Sequence, residues 1–307
     1  MMSPNPLVSI IIPCYNYAQY VGQAIASALR QTYSPVEIIV VNDGSTDQTI
    51  QVVSNYPVIC LTQPNQGQAQ ACNNGVRECH GDLIVLLSAD DLLHPLFLER
   101  TVPLLAADPN IAFVYTHGLT FGDDPAIVLA QASTMDALKW GNTLIATYLI
   151  RKSVYQAVGG YDPTLRYSED WDFALRLAEN GYRGLLVPQA LVCIRAHETS
   201  LRNRTSTIAA EWATRRIWQK HPHIFSPGFI LQWRFNRWLR KLLHLGVLKF
   251  RGSQPMLYER LRRGLRFLRP RAPDLEHARR DDGYTQLVPP FKSEHFETWG
   301  EVMRQWA

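Results

Sequence analysis

Leu83-Ile84-Val85-Leu86-Leu87-Ser88-Ala89-Asp90-Asp91 decides how this chain is read. The apolar run is too short for a helix and reads as a buried strand. In an open α/β sheet, ligands bind in the crevice beyond the carboxyl ends of such strands. Adjacent carboxylates repel one another, so a site that keeps both ionised supplies a cation, and hard oxygen ligands suit Mg²⁺ or Mn²⁺. Taken alone, the pair fits a solvated turn equally well, because Asp is an ordinary turn former.

Upstream of this stretch, short apolar runs alternate with helix-like segments, the pattern of βαβ units in an α/β fold with a mostly parallel sheet flanked by helices. Strands are expected at Val8–Ile12, Glu37–Val41, Val58–Leu61 and Leu83–Leu87, and helices at Tyr20–Gln31, Thr46–Ser54 and Gln68–Glu78. The strands are rich in Val, Ile and Leu, as expected where both faces are covered. Downstream, a helix is expected at Leu96–Leu105, a strand at Ile111–Tyr115 and a turn at Gly159-Gly160-Tyr161-Asp162. Ser168 is placed to N-cap a helix carrying Phe173, Leu175, Leu177 and Ala178, and Asn180-Gly181 closes it. Leu185–Val187 and Leu191–Ile194 read as two further short strands.

Hydrophobic residues make up 46% of the 307 and charged residues 19%, which excludes a disordered chain. That length accommodates one large α/β core with an appendage, or two modest domains. Five cysteines (Cys14, Cys60, Cys72, Cys79, Cys193) are scattered with no C-x-x-C pair, which argues against a disulfide framework and against structural zinc. No stretch approaches the roughly eighteen uncharged apolar residues of a membrane span. The start, Met1-Met2-Ser3-Pro4-Asn5-Pro6, lacks a basic leader pattern, so a cytoplasmic location is expected. The net charge of +4 hides a division: Phe229 to Arg271 holds twelve Lys and Arg against Glu259 alone, a net +11 that leaves −7 on the remainder. An acidic globule at 1–225 carrying a basic extension at 226–307 is the expected organisation.

Two more polar clusters follow expected strands. Asn42-Asp43-Gly44-Ser45-Thr46-Asp47 comes directly after the second strand; a carboxylate there can accept from a nucleobase N–H or from ribose hydroxyls, and equally can close an Asx turn. Asn65-Gln66-Gly67 and Ala71-Cys72-Asn73-Asn74-Gly75 add amide donors near the end of the third strand. In order and spacing, Val8-Ser9-Ile10-Ile11-Ile12-Pro13-Cys14-Tyr15-Asn16, Asn42-Asp43-Gly44-Ser45-Thr46-Asp47, Asn65-x-Gly67 and Ser88-Ala89-Asp90-Asp91 closely resemble family-2 glycosyltransferases of the GT-A fold. Gly159-Gly160-Tyr161-Asp162, Ser168-Glu169-Asp170-Trp171-Asp172 and Arg195-x-His197 extend the resemblance, which covers roughly residues 7 to 205.

The resemblance implies a Rossmann-like GT-A domain that transfers a sugar, with inversion, from a nucleoside diphosphate donor to a hydroxyl of a glycan or lipid-linked acceptor in cell-surface glycan synthesis. It assigns the nucleobase to Asp43 and the nucleoside pocket to Pro13, Tyr15 and Asn16. Asn65, Gly67, Asn73, Ser88 and Ala89 complete the donor site. Asp90 takes the metal-binding place of the D-x-D motif, and His197 completes the metal or diphosphate site with Mg²⁺ or Mn²⁺. The catalytic base falls on Asp170, with Glu169 as the alternative. Trp171 is either core packing or one wall of the acceptor site. The chemistry needs these types: a leaving diphosphate develops negative charge that a cation offsets, and the acceptor hydroxyl loses its proton to a carboxylate as it attacks.

Two positions depart from the family pattern. Ser88 stands where the first Asp of the D-x-D motif is usual, and Cys72 where many relatives carry an arginine. Both encourage an alternative reading, a catalytically idle nucleotide-sugar-binding or scaffold protein, whereas the retained Asp90, Asp170 and His197 favour an enzyme. A nucleotidyltransferase would need a glycine-rich basic loop after the first strand, and Pro13-Cys14-Tyr15-Asn16 offers none.

In the basic arm, Leu231, Phe235, Trp238, Leu242 and Leu245 recur at helical spacing among Arg234, Arg237, Arg240 and Lys241, and Leu257, Leu261, Leu265 and Leu268 form a second basic amphipathic stripe. Such helices either pack on the globule or dock over 229–271 on an anionic membrane surface, which would make the protein peripheral on the inner face of the plasma membrane. Nucleic acid is the poorest partner, because the aromatics lie on the apolar stripe.

Overall fold

The computed structural model describes residues 5–122, 127–197 and 207–235. The described residues fall into two compact units that part between Ala213 and Thr214.

In the first unit, a sheet of nine strands is ordered β3-β2-β1-β4-β8-β6-β9-β5, with β7 (Ile127–Val128) paired to β6. Strands β1 (Val8–Cys14), β2 (Val36–Asp43), β3 (Ile59–Gln63) and β4 (Leu83–Leu86) form its parallel half. Val8, Ile10, Ile11 and Ile12 on β1, Ile39, Val40 and Val41 on β2, and Leu83, Ile84 and Val85 on β4 have no exposed surface, as β-branched strands covered on both faces should. The register sets Cys14 beside Asn42 and Asp43 beside Gln63, so the polar residues after these strands emerge at one edge.

The other half is mixed rather than parallel. Strand β8 (Leu149–Arg151) runs antiparallel to both β4 and β6 (Ile111–Gly122), and β5 (Leu92–Leu93) runs antiparallel to β9 (Arg183–Ala196). The two short strands expected around Leu185 and Leu191 are one long strand. Thr116 pairs with Val187 and His117 with Ala190, so a bulge absorbs Pro188 and Gln189, where proline has no N–H to give the ladder.

Helices α1 (Ala18–Leu29), α3 (Gln68–Glu78) and α4 (Phe97–Ala107) lie close to their expected bounds. Helix α2 (Thr49–Val53) starts three residues later than the sequence suggests, because Asp47 accepts from the Thr49 N–H at 3.0 Å and its hydroxyl at 2.5 Å and holds the preceding turn. Helices α5 (Met135–Leu138), α6 (Lys152–Ala157), α7 (Glu169–Glu179) and α8 (Thr207–Lys220) complete the named elements. Ser168 does sit at the N-cap of α7, but in the left-handed region with φ 63° and without a side-chain capping bond; the Asp170 carboxylate takes the first-turn Trp171 N–H instead.

In the second unit, Trp218 meets Trp233 edge-on at 5.1 Å and Phe225 at 6.4 Å. Residues 227–235 are helical, with Leu231 and Phe235 exposed. The remainder of the expected basic arm, including Trp238, Leu242, Leu245 and the stripe from Leu257 to Leu268, lies outside the described residues. No described helix is long and apolar enough to cross a membrane.

Helix α3 approaches β1 and β2 closely because Gly75 has no side chain. A Cβ there would lie 2.4 Å from Ile11 Cγ2 and 3.0 Å from Val41 Cγ2. Gly75→Ala is therefore expected to destabilise the domain by about 1–3 kcal/mol, the cost of overpacking a filled core. A thermal melt should show a drop of several degrees, and an unchanged midpoint contradicts this packing.

Candidate active site

The turn after β2 is built by side chains accepting backbone N–H groups. Asn42 Oδ1 accepts from Ser45 at 3.0 Å, Asn16 Oδ1 from Thr46 at 2.8 Å, and Asp47 Oδ2 from Ala18 at 3.0 Å, which binds the chain after β1 to the chain after β2. Gly44, at φ 73°, is required here twice over: the conformation is left-handed, and a Cβ would lie 2.8 Å from the Asn65 nitrogen. Pro13 is half-buried at the end of β1, and Tyr15 and Asn16 stand exposed beyond it.

Asp43 is buried, and its carboxylate accepts from Gln63 Nε2 at 2.7 Å and from the backbone N–H groups of Gln66 and Gly67, each at 2.8 Å. It thereby shapes the loop that carries Asn65 and Gly67. An ionised carboxylate has about four acceptor positions, so roughly one is left for a ligand. Gln63, which sequence reading passed over, is held in turn by Asn74 Nδ2 at 2.5 Å.

Asp90 and His197 meet with Oδ2 and Nε2 3.0 Å apart. The His197 ring packs on Tyr20 at 4.8 Å and edge-on to Tyr17 at 6.1 Å, both at the start of α1. Arg195 ties the two ends together: its backbone N–H donates to Asp91 Oδ1 at 3.0 Å, its Nε donates to the Asp90 carbonyl at 3.1 Å, and its guanidinium bonds Gln23. That guanidinium stacks on Phe121 at 4.3 Å and Tyr20 at 4.6 Å. Asp91 faces inward, where burial first and the Asp90 charge second push its carboxyl well above the usual range, and the Ser88 hydroxyl bonds to it. Ser88 thus belongs to the Asp91 side of the turn, and Ala89 is buried between them.

The donor set fits a divalent cation. Octahedral bonds of about 2.1 Å place neighbouring ligand atoms about 3 Å apart, the separation found between Asp90 Oδ2 and His197 Nε2. One carboxylate oxygen and one imidazole leave most of the shell to water and phosphate oxygens, as suits Mg²⁺ or Mn²⁺.

Glu169 and Asp170 open α7 in unlike surroundings. Glu169 is buried, and burial followed by the neighbouring Asp170 charge pushes its carboxyl up to about 7. Asp170 is half-buried and accepts from Asn142 Nδ2 at 2.7 Å and from the Trp171 N–H at 2.8 Å; burial raises it as well. Trp171 is buried and donates its indole N–H to the Leu138 carbonyl at 2.7 Å, so it braces α5 against α7. Asp172, fully buried, pairs with Arg176 at 2.8 Å, and Arg176 also donates to the carbonyls of Val158 and Gly160. This fixes the Gly159-Gly160 turn on α7. From that turn, Tyr161 reaches Asn73: Asn73 Oδ1 accepts from Tyr161 N–H at 2.9 Å and Tyr155 OH at 2.7 Å, while its Nδ2 donates to the Tyr161 carbonyl at 2.7 Å. Asn73 is therefore a clamp between α3 and the turn.

Cys72 is buried beneath this clamp. Burial first, then the charges of Glu169 and Asp43, push its thiol well above the ordinary value, so both carboxylates lie near one point of α3. Tyr148, the residue before β8, feels the Asp170 charge, and since Leu149 pairs with Val85 it stands at the carboxyl edge of β4. The parts of the site converge on that edge.

The model of glycosyl transferase family 2 matches residues 9–167, just over half of the chain, and the chain belongs to that family. A glycosyltransferase of Rickettsia typhi is 36% identical over 182 residues, which span 55% of this chain and 57% of that protein. The chondroitin synthase of Escherichia coli is 30% identical over 185 residues, 57% of this chain and 27% of the synthase. The chain thus spans little more than half the length of one relative and about a quarter of the other. Among solved structures, S. aureus TarS 1-349 in complex with UDP-GlcNAc aligns with a TM-score of 0.59 at 17% identity, covering 73% of this chain and 71% of that one. The mannosyltransferase PcManGT from Pyrobaculum calidifontis, in complex with GDP-Man and Mn²⁺, aligns at 0.58 and 17% identity, covering 85% and 80%. These likenesses establish a GT-A fold.

Because the Glu169 carboxyl rises from 4.5 to about 7 on folding, the folded state binds the extra proton in that window. Its contribution is present below the unfolded value and is lost as pH climbs through the folded one. The melting temperature is expected to fall between pH 5 and 8, and Glu169→Gln to flatten that slope. A wild-type slope retained in the variant contradicts the assignment.

Proposed function

We propose that the chain is an inverting, metal-dependent glycosyltransferase that moves a sugar from a nucleoside diphosphate donor to a hydroxyl of a glycan or lipid-linked acceptor in cell-surface glycan synthesis. The observation that carries this reading is the half-buried Asp170 carboxylate, held by two neutral donors, together with the Asp90–His197 pair 3.0 Å apart. The names of the fold neighbours, one bound to UDP-GlcNAc and one to GDP-Man and Mn²⁺, support the donor class and the metal.

In this reading the remaining acceptor position of Asp43 takes a nucleobase N–H, with Pro13, Tyr15, Asn16, Asn65 and Gly67 around the nucleoside. Asn73 serves the donor by holding the 159–162 turn, and Ser88 and Ala89 by setting the approach to Asp90. Asp90 and His197 hold the cation, which when bound offsets the negative charge that develops on the leaving diphosphate. Asp170 accepts the acceptor's proton as its oxygen attacks the anomeric carbon from the face opposite the leaving group. Glu169, buried and raised, keeps a second negative charge away from that base. Trp171 shapes the acceptor wall through α5. Residues 226–307 are assigned to a basic extension that brings the domain to the inner face of the plasma membrane.

A panel of nucleotide sugars screened by thermal shift with Mn²⁺, then by turnover, tests the reading. Asp170→Asn should keep donor affinity and lose transfer by about 10²–10⁴-fold, the usual worth of a general base. Asp90→Ala should weaken donor binding only when Mn²⁺ is present. Unimpaired transfer by Asp170→Asn removes the base from the mechanism. For the extension, flotation with anionic liposomes should recover the full chain but not one lacking 229–271, and equal recovery rejects membrane docking.

A further inference from the structure

Asn142 sits between α5 and β8, in the part of the chain poorest in family motifs. Its segment is anchored on both sides. The Gln131 N–H donates to the Thr143 carbonyl at 3.0 Å, the Thr143 hydroxyl donates to the Ala132 carbonyl at 3.2 Å, and the Trp171 indole holds Leu138. The direction of the Asn142 amide follows from its two bonds. Its Oδ1 accepts from the Leu144 N–H at 3.1 Å, which only the carbonyl oxygen can do, so the NH₂ group faces the Asp170 carboxylate at 2.7 Å. The other Asp170 oxygen accepts from the Trp171 N–H. Each oxygen therefore has a fixed donor on a different element, α7 on one side and the Asn142 segment on the other.

We propose that Asn142 is a positioning residue: its amide aims the Asp170 carboxylate at the incoming acceptor hydroxyl and favours the ionised form, so that the loop meeting the acceptor and the base act as one unit. The assignment rests on Asp170 being the base. A neutral donor bonded to a carboxylate stabilises its charged form, opposing the burial that raises Asp170. Among the described residues, Glu169 beside it on α7, Tyr148 before β8 and Tyr161 in the 159–162 turn are the titratable groups that face Asp170, and none of the three carries a positive charge. Asn142 is exposed and Asp170 half-buried, so the bond between them lies at the surface of the domain.

Carboxyl ¹³C NMR titration of the full chain labelled at Asp, with Asp170→Asn identifying the resonance, reads the effect without turnover. Asn142→Ala should raise the Asp170 pKa by about half to one unit, the worth of one partly exposed hydrogen bond to a charged group. Asn142→Asp keeps an oxygen for the Leu144 N–H but replaces the donor by a like charge, and should raise it further. With an active donor and acceptor, the acid limb of the kcat/KM profile should move upward by the same amount, while donor affinity stays at the wild-type value. An Asp170 pKa unmoved in both variants overturns the proposal whether or not transfer is detected. Absence of transfer by the wild type, with the NMR shift present, counts against the proposed reaction and leaves the positioning role standing.

Discussion

The candidate active site depends on one contact between distant parts of the chain: Asp90, just past β4, meets His197, just past β9, across 107 residues. Two like-charged residues at a turn would splay if left to themselves. Here Asp91 accepts from the Arg195 N–H, Asp90 meets His197, and the Arg195 side chain holds the Asp90 carbonyl and packs against Phe121 and Tyr20. Because Tyr20 also packs on His197, helix α1 sets the depth of both. A cation placed there would be held by a frame that is already rigid, so binding it would order few side chains.

A second frame supports Asp170, the proposed base. The buried Asp172–Arg176 pair is a costly element to break, since removing one partner leaves an uncompensated charge worth about 3–5 kcal/mol. Its guanidinium fixes the Gly159-Gly160 turn, and Tyr161 passes that constraint to Asn73 on α3. The neighbouring acids Glu169 and Asp170 are thereby given different environments, one buried and one half-open, which is how adjacent carboxylates come to hold their protons at different pH. Cys72 fits this arrangement: a buried neutral thiol beside Glu169 brings no cation to pull that carboxyl back down.

The parallel half of the sheet is legible in the sequence because its strands are uniform β-branched runs separated by amphipathic helices, and α3 runs from Gln68 to Glu78 as its pattern indicates. The mixed half is not. Leu149–Arg151 and Leu92–Leu93 are too short to show a period, and Pro188 hides the continuity of β9, which survives only through a bulge. At the site, Asp90, His197, Asp43 and Asp170 stood out by residue type at strand and helix ends. Gln63, Asn142, Tyr148 and Arg176 did not, because each acts through a partner remote in sequence and none lies in a motif. Asn73 and Trp171 carried a motif signal, and in the fold Asn73 spends its amide on Tyr161 and Tyr155 while Trp171 gives its indole N–H to the Leu138 carbonyl.

We propose that inversion follows from Asp170 removing the acceptor proton on the face opposite the leaving diphosphate. Real-time ¹H NMR of the first product formed from an α-linked nucleotide sugar, with water or a glycan hydroxyl as acceptor, reports the anomeric configuration before equilibration. A β-configured product is expected if Asp170 acts in this way. A product that retains the α configuration would contradict it.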